Sequence, residues 1–73
     1  MEIQATTISV TLNGASREIR SGSTVADLLV ELKMDRARVA VERNRDVVPR
    51  VQYDQVVLAA GDHLEVVGFV GGG

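Results

Sequence analysis

The start of the chain predicts a β-hairpin, and this is the strongest local constraint on what the chain can fold into. Polar and apolar residues alternate from Thr7 to Leu12, as in a strand with one buried face. Asn13 and Gly14 follow. Asn-Gly is the strongest short hairpin signal because both residues tolerate the positive φ angles of a tight turn. Residues 15–19 can then return as the antiparallel partner, so we expect the domain to be built on a sheet.

One helix is predicted after the hairpin. Thr24 and Asp27 have the spacing of a capping box, with Asp in place of the usual Glu or Gln. Apolar residues then recur at i, i+3, i+4 and i+7, which places on one stripe Val25, Leu28, Leu29 and Leu32. We expect this stripe to pack against the sheet.

The second half of the chain predicts further strands, at residues 39–43, 47–49, 63–67 and, more briefly, 56–58. A turn through residues 44–46 separates the first two. Pro49 has no N–H to donate, so we place its strand at a sheet edge. Tyr53 is expected to pack beneath the irregular link before residue 56.

These elements predict an α+β domain in which one main helix covers one face of a mixed sheet of four to five strands. A right-handed crossover through the helix allows the first and last strands to lie side by side. That arrangement is the ubiquitin-like β-grasp. We assign residues 1–67 to this domain and residues 68–73 to a flexible C-terminal glycine tail.

The residue inventory argues against an independent enzyme and against a metal centre. The 73 residues include no cysteine and one histidine, His63, so cysteine nucleophiles, disulfides and the usual zinc sites are excluded. We interpret His63 as a surface or partner-contact residue. We also expect this chain to bind no cofactor.

Charge and hydropathy argue against nucleic acid and membranes as partners. The formal net charge is −2, which does not favour a general phosphate-binding surface. Five of the seven arginines lie between residues 36 and 50, without aromatic residues for base stacking, and we interpret them as a solvated rim. Neither a membrane span nor a signal peptide is predicted, so we expect a cytoplasmic protein that is a monomer when free.

The three terminal glycines have no obvious structural purpose. They have no side chains to bury, and glycine loses the most backbone entropy on ordering. A run of glycines is slender enough to enter a narrow channel and to present the carboxylate of Gly73 to another protein. This carboxylate is ionised at neutral pH and is a poor electrophile, so it would need activation by ATP in a partner's active site. A sulfur nucleophile could then convert it to a thiocarboxylate.

Two segments of the sequence are the most distinctive, Val-Glu-Arg-Asn at 41–44 and the ending Phe-Val-Gly-Gly-Gly at 69–73. Through these segments, and over nearly its whole length, the sequence resembles the ThiS family of sulfur carriers in thiamine biosynthesis. The resemblance implies a carrier adenylated at Gly73 by a ubiquitin-activating-like adenylyltransferase, supplied with sulfur by a donor such as a cysteine desulfurase, and used by thiazole synthase. Gly71 and Gly72 would thread the tail. Phe69 and Val70 would be docking residues, or Phe69 would simply close the core.

Three other interpretations remain open. The small subunit of molybdopterin synthase is a β-grasp carrier with the same end-group chemistry. A ubiquitin-type protein modifier is a second alternative, although this chain has only one lysine, Lys33. A binding module with an inert tail is the third.

Overall fold

The computed structural model describes residues 6–68. Its secondary structure follows the predicted order, with strands β1 (Thr7–Leu12), β2 (Ala15–Arg20), β3 (Val39–Arg43), β4 (Asp46–Val47) and β5 (His63–Gly68), and helix α1 (Val25–Glu31). Two short 3₁₀ turns lie at Arg36–Arg38 and Arg50–Gln52.

The sheet is mixed, with the strand order β2-β1-β5-β3-β4. β5 lies in the centre. It runs parallel to β1 and antiparallel to β3, while β1 pairs with β2 and β3 with β4 in antiparallel hairpins. The expectation that the first and last strands lie side by side is therefore confirmed, as is the α+β class.

The N-terminal hairpin closes through a two-residue turn. Leu12 pairs with Ala15, and the residues between them have positive φ angles, 50° for Asn13 and 85° for Gly14. Positive φ at both positions matches the right-handed twist of the flanking strands, which explains why Asn and Gly occupy this turn. The returning strand extends to Arg20, one residue beyond the predicted end.

Helix α1 begins as the sequence predicts. The Thr24 hydroxyl accepts a hydrogen bond from the Asp27 amide at 3.1 Å, and the Asp27 carboxylate accepts one from the Thr24 amide at 3.0 Å. This capping box satisfies two backbone donors that the first helical turn leaves unpaired. Of the predicted apolar stripe, Leu32 is partly buried and three members are fully buried: Val25, Leu28 and Leu29.

The core lies between α1 and one face of the sheet. The sheet contributes inward-facing residues from its central strands, among them Val10, Val41, Leu64 and Val66. Tyr53 is 1% exposed, and its hydroxyl donates to the Val39 carbonyl at 3.3 Å. The predicted packing of Tyr53 is confirmed, and its polar end is satisfied in the way that a buried tyrosine requires.

The edge of the sheet differs from the prediction. Asn44 and Arg45 form a two-residue turn with φ angles of 52° and 74°, so β4 starts at Asp46 and not at residue 47. Pairing continues with one bond from the Val48 amide to the Val41 carbonyl, and Pro49 then precedes a 3₁₀ turn. The predicted strand at 47–49 was therefore misplaced.

Two other boundaries also differ. Residues 56–58 contribute one isolated bridge, between Thr24 and Val57, and no strand. Gly68, which the sequence analysis assigns to the tail, is the last residue of β5. Residues 69–73 lie outside the described residues, so the division of the chain into domain and tail stays a prediction.

The C-terminus of α1 closes with a pair of backbone bonds that satisfy its last carbonyls. The Lys33 amide donates to Val30 and the Met34 amide donates to Leu29, which is the Schellman pattern. Lys33 has a φ of 61°. Glycine usually occupies this position because a Cβ atom is strained in the left-handed region.

We expect Lys33→Gly to raise the free energy of unfolding by about 0.5–1 kcal/mol, because relief of that strain exceeds the extra backbone entropy that glycine loses on folding. Lys33→Ala is the matched control. It removes the same charge and keeps the Cβ atom, so it should not stabilise. Urea denaturation of the three proteins measures the difference, and equal stability of the Gly and Ala variants would contradict the backbone explanation.

Candidate functional site

Strand β5 leads directly into the glycine-rich end of the chain. Its last rung pairs Gly68 with Val39, the first residue of β3. The tail residues that the sequence analysis singled out lie outside the described residues: Phe69, Val70, Gly71, Gly72 and Gly73. The last residue that the structure describes therefore lies at the end of the central strand, directly before the predicted tail.

Chain geometry limits how far the tail can reach. Five residues follow Gly68, and a fully extended chain spans about 3.3–3.6 Å per residue, or about 17 Å in total. A protein that binds Gly73 must therefore lie close to this end of the sheet. The candidate functional site is the tail together with the surface around Gly68.

Asn13 holds β5 on the β1 side of this site. Its side-chain oxygen accepts a hydrogen bond from the Val66 amide at 2.8 Å, and its side-chain nitrogen donates to the Val66 carbonyl at 3.2 Å. Its backbone amide donates to the Leu64 carbonyl at 2.8 Å. The sequence analysis identified Asn13 only as a turn residue.

The β3 side of β5 is held by the carbonyl of Val39. This oxygen accepts hydrogen bonds from the Tyr53 hydroxyl at 3.3 Å and from the Arg50 guanidinium at 3.1 Å. Because Val39 lies opposite Gly68, these bonds fix the strand beside which the tail starts.

The predicted solvated rim of arginines is only partly correct. Arg36 binds both carboxylate oxygens of Asp54, at 3.1 and 2.9 Å, and its guanidinium lies 5.5 Å from the centre of the Tyr53 ring. The hydrogen bond from Arg36 lowers the pKa of Asp54. Arg50 also donates to the Arg36 carbonyl at 3.1 Å. These side chains fasten the 3₁₀ turns to each other, although Arg50 is itself exposed, as are Arg38 and Arg45.

A polar network fixes the start of β5. Asp62 is 6% exposed and accepts hydrogen bonds from Arg43 at 2.8 Å, Asn44 at 3.1 Å and the Ala59 amide at 2.8 Å. Asn44 also accepts from the His63 amide at 2.9 Å. The network ties the β3–β4 turn to the turn before β5. The local sequence around Asp62, which follows Gly61, indicates no more than a turn.

The pKa of Asp62 is lowered in the folded protein. Burial acts to raise it, but the bonds from Ala59, Arg43 and Asn44, together with the positive charge of Arg43, outweigh burial and favour the carboxylate. The charged form of Asp62 is thus the one that stabilises the fold.

The second face of the sheet is open. Glu42 and Glu65 pair directly across β3 and β5, and both are exposed. They line a depression together with Asn44, Arg45 and His63. His63 is exposed on this face, as predicted for a surface residue. Neither Glu42 nor Glu65 forms an ion pair within residues 6–68.

Metal sites and membrane-spanning helices are both absent from the described part of the chain. No group of three or more His, Cys, Asp or Glu side chains there could hold a metal ion. The helices among those residues are all too short or too polar to cross a membrane.

We expect Asp62→Asn to lower the free energy of unfolding at pH 7 by about 2 kcal/mol, because Arg43 loses its charged partner. A lowered pKa in the folded state gives stability that is present above the pKa of the unfolded chain, near 4, and is lost as the pH falls through the folded value. The wild-type and variant curves should therefore converge below about pH 4. Thermal unfolding across this range measures the effect.

Asp46→Asn is the control for this prediction. Asp46 is exposed in β4, so its substitution should leave the pH dependence close to that of the wild type. A constant difference between wild type and Asp62→Asn from pH 7 to 2 would contradict the role of the Asp62 charge.

The chain is similar to curated proteins of two kinds. It is 46% identical over 66 residues to a thiazole synthase of Paramagnetospirillum magneticum, a match that covers 90% of this chain and 20% of that protein. This chain therefore spans about a fifth of that relative. It is also 40% identical over 50 residues to the sulfur carrier protein ThiS of Bacillus subtilis, which covers 68% of this chain and 76% of the carrier.

A solved structure has the same fold. The crystal structure of the thiamine biosynthesis protein ThiS from Geobacter metallireducens superimposes with a TM-score of 0.76 at 33% sequence identity, covering 90% of this chain and all of that one. The predicted ubiquitin-like β-grasp is thus confirmed. The family model of ThiS matches residues 10–73, which include β5 and the glycine ending. The chain belongs to the ThiS family.

Proposed function

We propose that this chain is a sulfur carrier of thiamine biosynthesis whose working group is the carboxylate of Gly73. The observation that carries the proposal is the position of β5. The central strand of the sheet, which lies between β1 and β3, leads within five residues to a run of three glycines. The names of its relatives in the ThiS family support the same role.

The first step of the proposed chemistry is adenylation. An oxygen of the Gly73 carboxylate attacks the α-phosphorus of ATP, pyrophosphate leaves, and an acyl adenylate forms. The ATP is a substrate of the partner enzyme, a ubiquitin-activating-like adenylyltransferase. The partner supplies the groups that orient the phosphates and stabilise the developing charge.

The second step replaces oxygen by sulfur. A sulfur nucleophile attacks the acyl carbon of the adenylate, AMP leaves, and a carbon–sulfur bond forms. If the donor is a persulfide, such as that of a cysteine desulfurase, a second thiol then cleaves the S–S bond and is itself oxidised to a disulfide. The product is a thiocarboxylate, which thiazole synthase takes as its sulfur source.

The carrier acts in this scheme as a substrate and not as an enzyme. Gly71 and Gly72 thread the partner's channel, because residues without a Cβ atom fit a narrow passage. Phe69 and Val70 dock at its entrance. The partner link to thiazole synthase is supported by relatives of that name that contain a segment similar to this chain. We place the free carrier in the cytoplasm as a monomer.

The decisive experiment is intact-mass spectrometry after incubation with ATP, an adenylyltransferase and a sulfur donor. We expect a mass gain equal to the exchange of one oxygen for sulfur, located by fragmentation at Gly73. Deletion of Gly72 and Gly73 should abolish the gain, and so should one extra residue after Gly73. Both changes lie beyond β5, so the melting temperature should stay at the wild-type value. Modification of the deletion variant would overturn the proposal.

Complementation separates the thiazole role from the pterin role. We expect the gene to restore growth of a strain that lacks its thiamine sulfur carrier, and not to restore molybdopterin synthesis in a strain that lacks the small synthase subunit. The opposite pattern would assign the chain to molybdopterin. Rescue by the deletion variant would favour a binding module with an inert tail.

A further inference from the structure

Strand β5, which precedes the tail, is paired along different lengths on its two sides. β3 pairs with β5 as far as Gly68, whereas the last rung between β1 and β5 joins Leu12 to Leu64. Beyond that rung β1 turns away into the hairpin. The last four residues of β5 would then have a neighbour strand on one side only.

Asn13 supplies the missing contact. Its side-chain amide binds both the N–H and the C=O of Val66, at 2.8 and 3.2 Å. A neighbouring strand would form hydrogen bonds with the same two backbone groups. The side-chain amide of Asn13 therefore replaces one pair of inter-strand hydrogen bonds. The φ of 50° at Asn13 allows the backbone to turn while the side chain stays beside β5. Asparagine tolerates this conformation better than most residues.

The turn alone does not require an amide at this position. Glycine or aspartate also fits the first place of such a turn. Glycine has no polar side chain, and an ionised aspartate only accepts hydrogen bonds, whereas the asparagine amide both donates and accepts. Only the amide satisfies both backbone groups of Val66.

Asn44 makes the same kind of contact at the opposite end of β5. It also has a positive φ, 52°, and it follows the strand on the other side. Its backbone amide donates to the His63 carbonyl at 2.7 Å, and its side-chain oxygen accepts from the His63 amide at 2.9 Å. The two asparagines thus hold β5 where each neighbouring strand ends, and Asn13 is the one near the tail.

We propose that Asn13 is a positioning residue for delivery of the terminal carboxylate: its amide fixes Val66 on the β1 side and so sets the direction of β5 up to Gly68. This inference rests on the proposed carrier function. Seven residues separate Val66 from the end of the chain. Loss of the amide frees the tail end of β5 on one side, and the partner must then order that end when it binds.

The test is Asn13→Gly, because glycine keeps the positive φ and removes only the amide. The Val66 N–H should lose its protection from hydrogen exchange. In steady-state assays of pyrophosphate release, with an adenylyltransferase that modifies the wild type, we expect KM for the carrier to rise about three- to tenfold, which corresponds to about 0.7–1.4 kcal/mol, and kcat to stay unchanged.

Asn44→Gly is the matched control. It also keeps a positive φ, and it removes bonds to His63 and Asp62. We expect it to destabilise the fold at least as much and to deprotect the His63 N–H, while KM stays at the wild-type value when both variants are assayed well below their melting temperatures. A raised KM for Asn13→Gly together with an unchanged KM for Asn44→Gly therefore distinguishes a positioning role from a general loss of stability.

The other outcomes contradict the positioning role of Asn13, the carrier function, or both. If the wild type is modified and Asn13→Gly keeps the wild-type KM, the positioning role is wrong and the carrier function stands. If both variants raise KM equally, Asn13 acts through general stability and the positioning role is again wrong. If the wild type itself is not modified by an adenylyltransferase that modifies a known carrier, both proposals fail together.

Discussion

The structure depends on the insertion of β5 between β1 and β3. β5 is parallel to the first strand of the chain, and a parallel pair needs a long crossover connection. Here the connection includes α1, whose buried residues cover the same sheet face that receives Leu64 and Val66. One pairing therefore decides which face of the sheet is core, where the helix lies and which face stays open.

The central position of β5 also leaves some of its backbone N–H and C=O groups without a strand partner, and side chains bind these groups instead. β1 and β3 overlap different parts of β5, so each leaves backbone groups of the central strand without a neighbouring strand. Buried N–H and C=O groups are costly when unpaired. Asn13 satisfies those of the buried Val66, and Asn44 binds those of the exposed His63. At both asparagines the backbone leaves the sheet in a turn while the side-chain amide stays beside β5. Asp62 holds the second of these turns in place through Arg43 and Asn44.

In the proposed function, the part of the chain that partners recognise is separate from the group that reacts. In the proposed role the reacting atoms belong to a backbone carboxylate, which any chain has. The domain adds a rigid strand from which a short tail starts, and surfaces around it by which a partner aligns the end group. Three rungs from Gly68, the open face of the sheet carries the exposed pair Glu42 and Glu65, so a partner that covers this face meets two adjacent negative charges.

Local signals were sufficient for most of the fold. The Asn-Gly hairpin, the capping box at Thr24 and the apolar stripe of α1 each depend on residues within about eight positions of one another, and all three were predicted correctly. The start of β4 was predicted one residue too late, because Arg45 adopts a left-handed backbone conformation that shortens the turn. Nothing in the local sequence pattern indicates that an arginine would adopt this conformation.

The sequence by itself determined the N-terminal hairpin, helix α1 with its apolar stripe, strands β3 and β5, and the run of glycines, since these follow from backbone preferences, periodicity and composition. Only the tertiary structure decided what Asn13 and Asp62 do. Asn13 binds Val66 across 53 positions of sequence, and Asp62 binds Arg43 across 19. The local sequence indicates only a turn at each of these residues. Their hydrogen-bond partners become neighbours only after β5 pairs between the two hairpins.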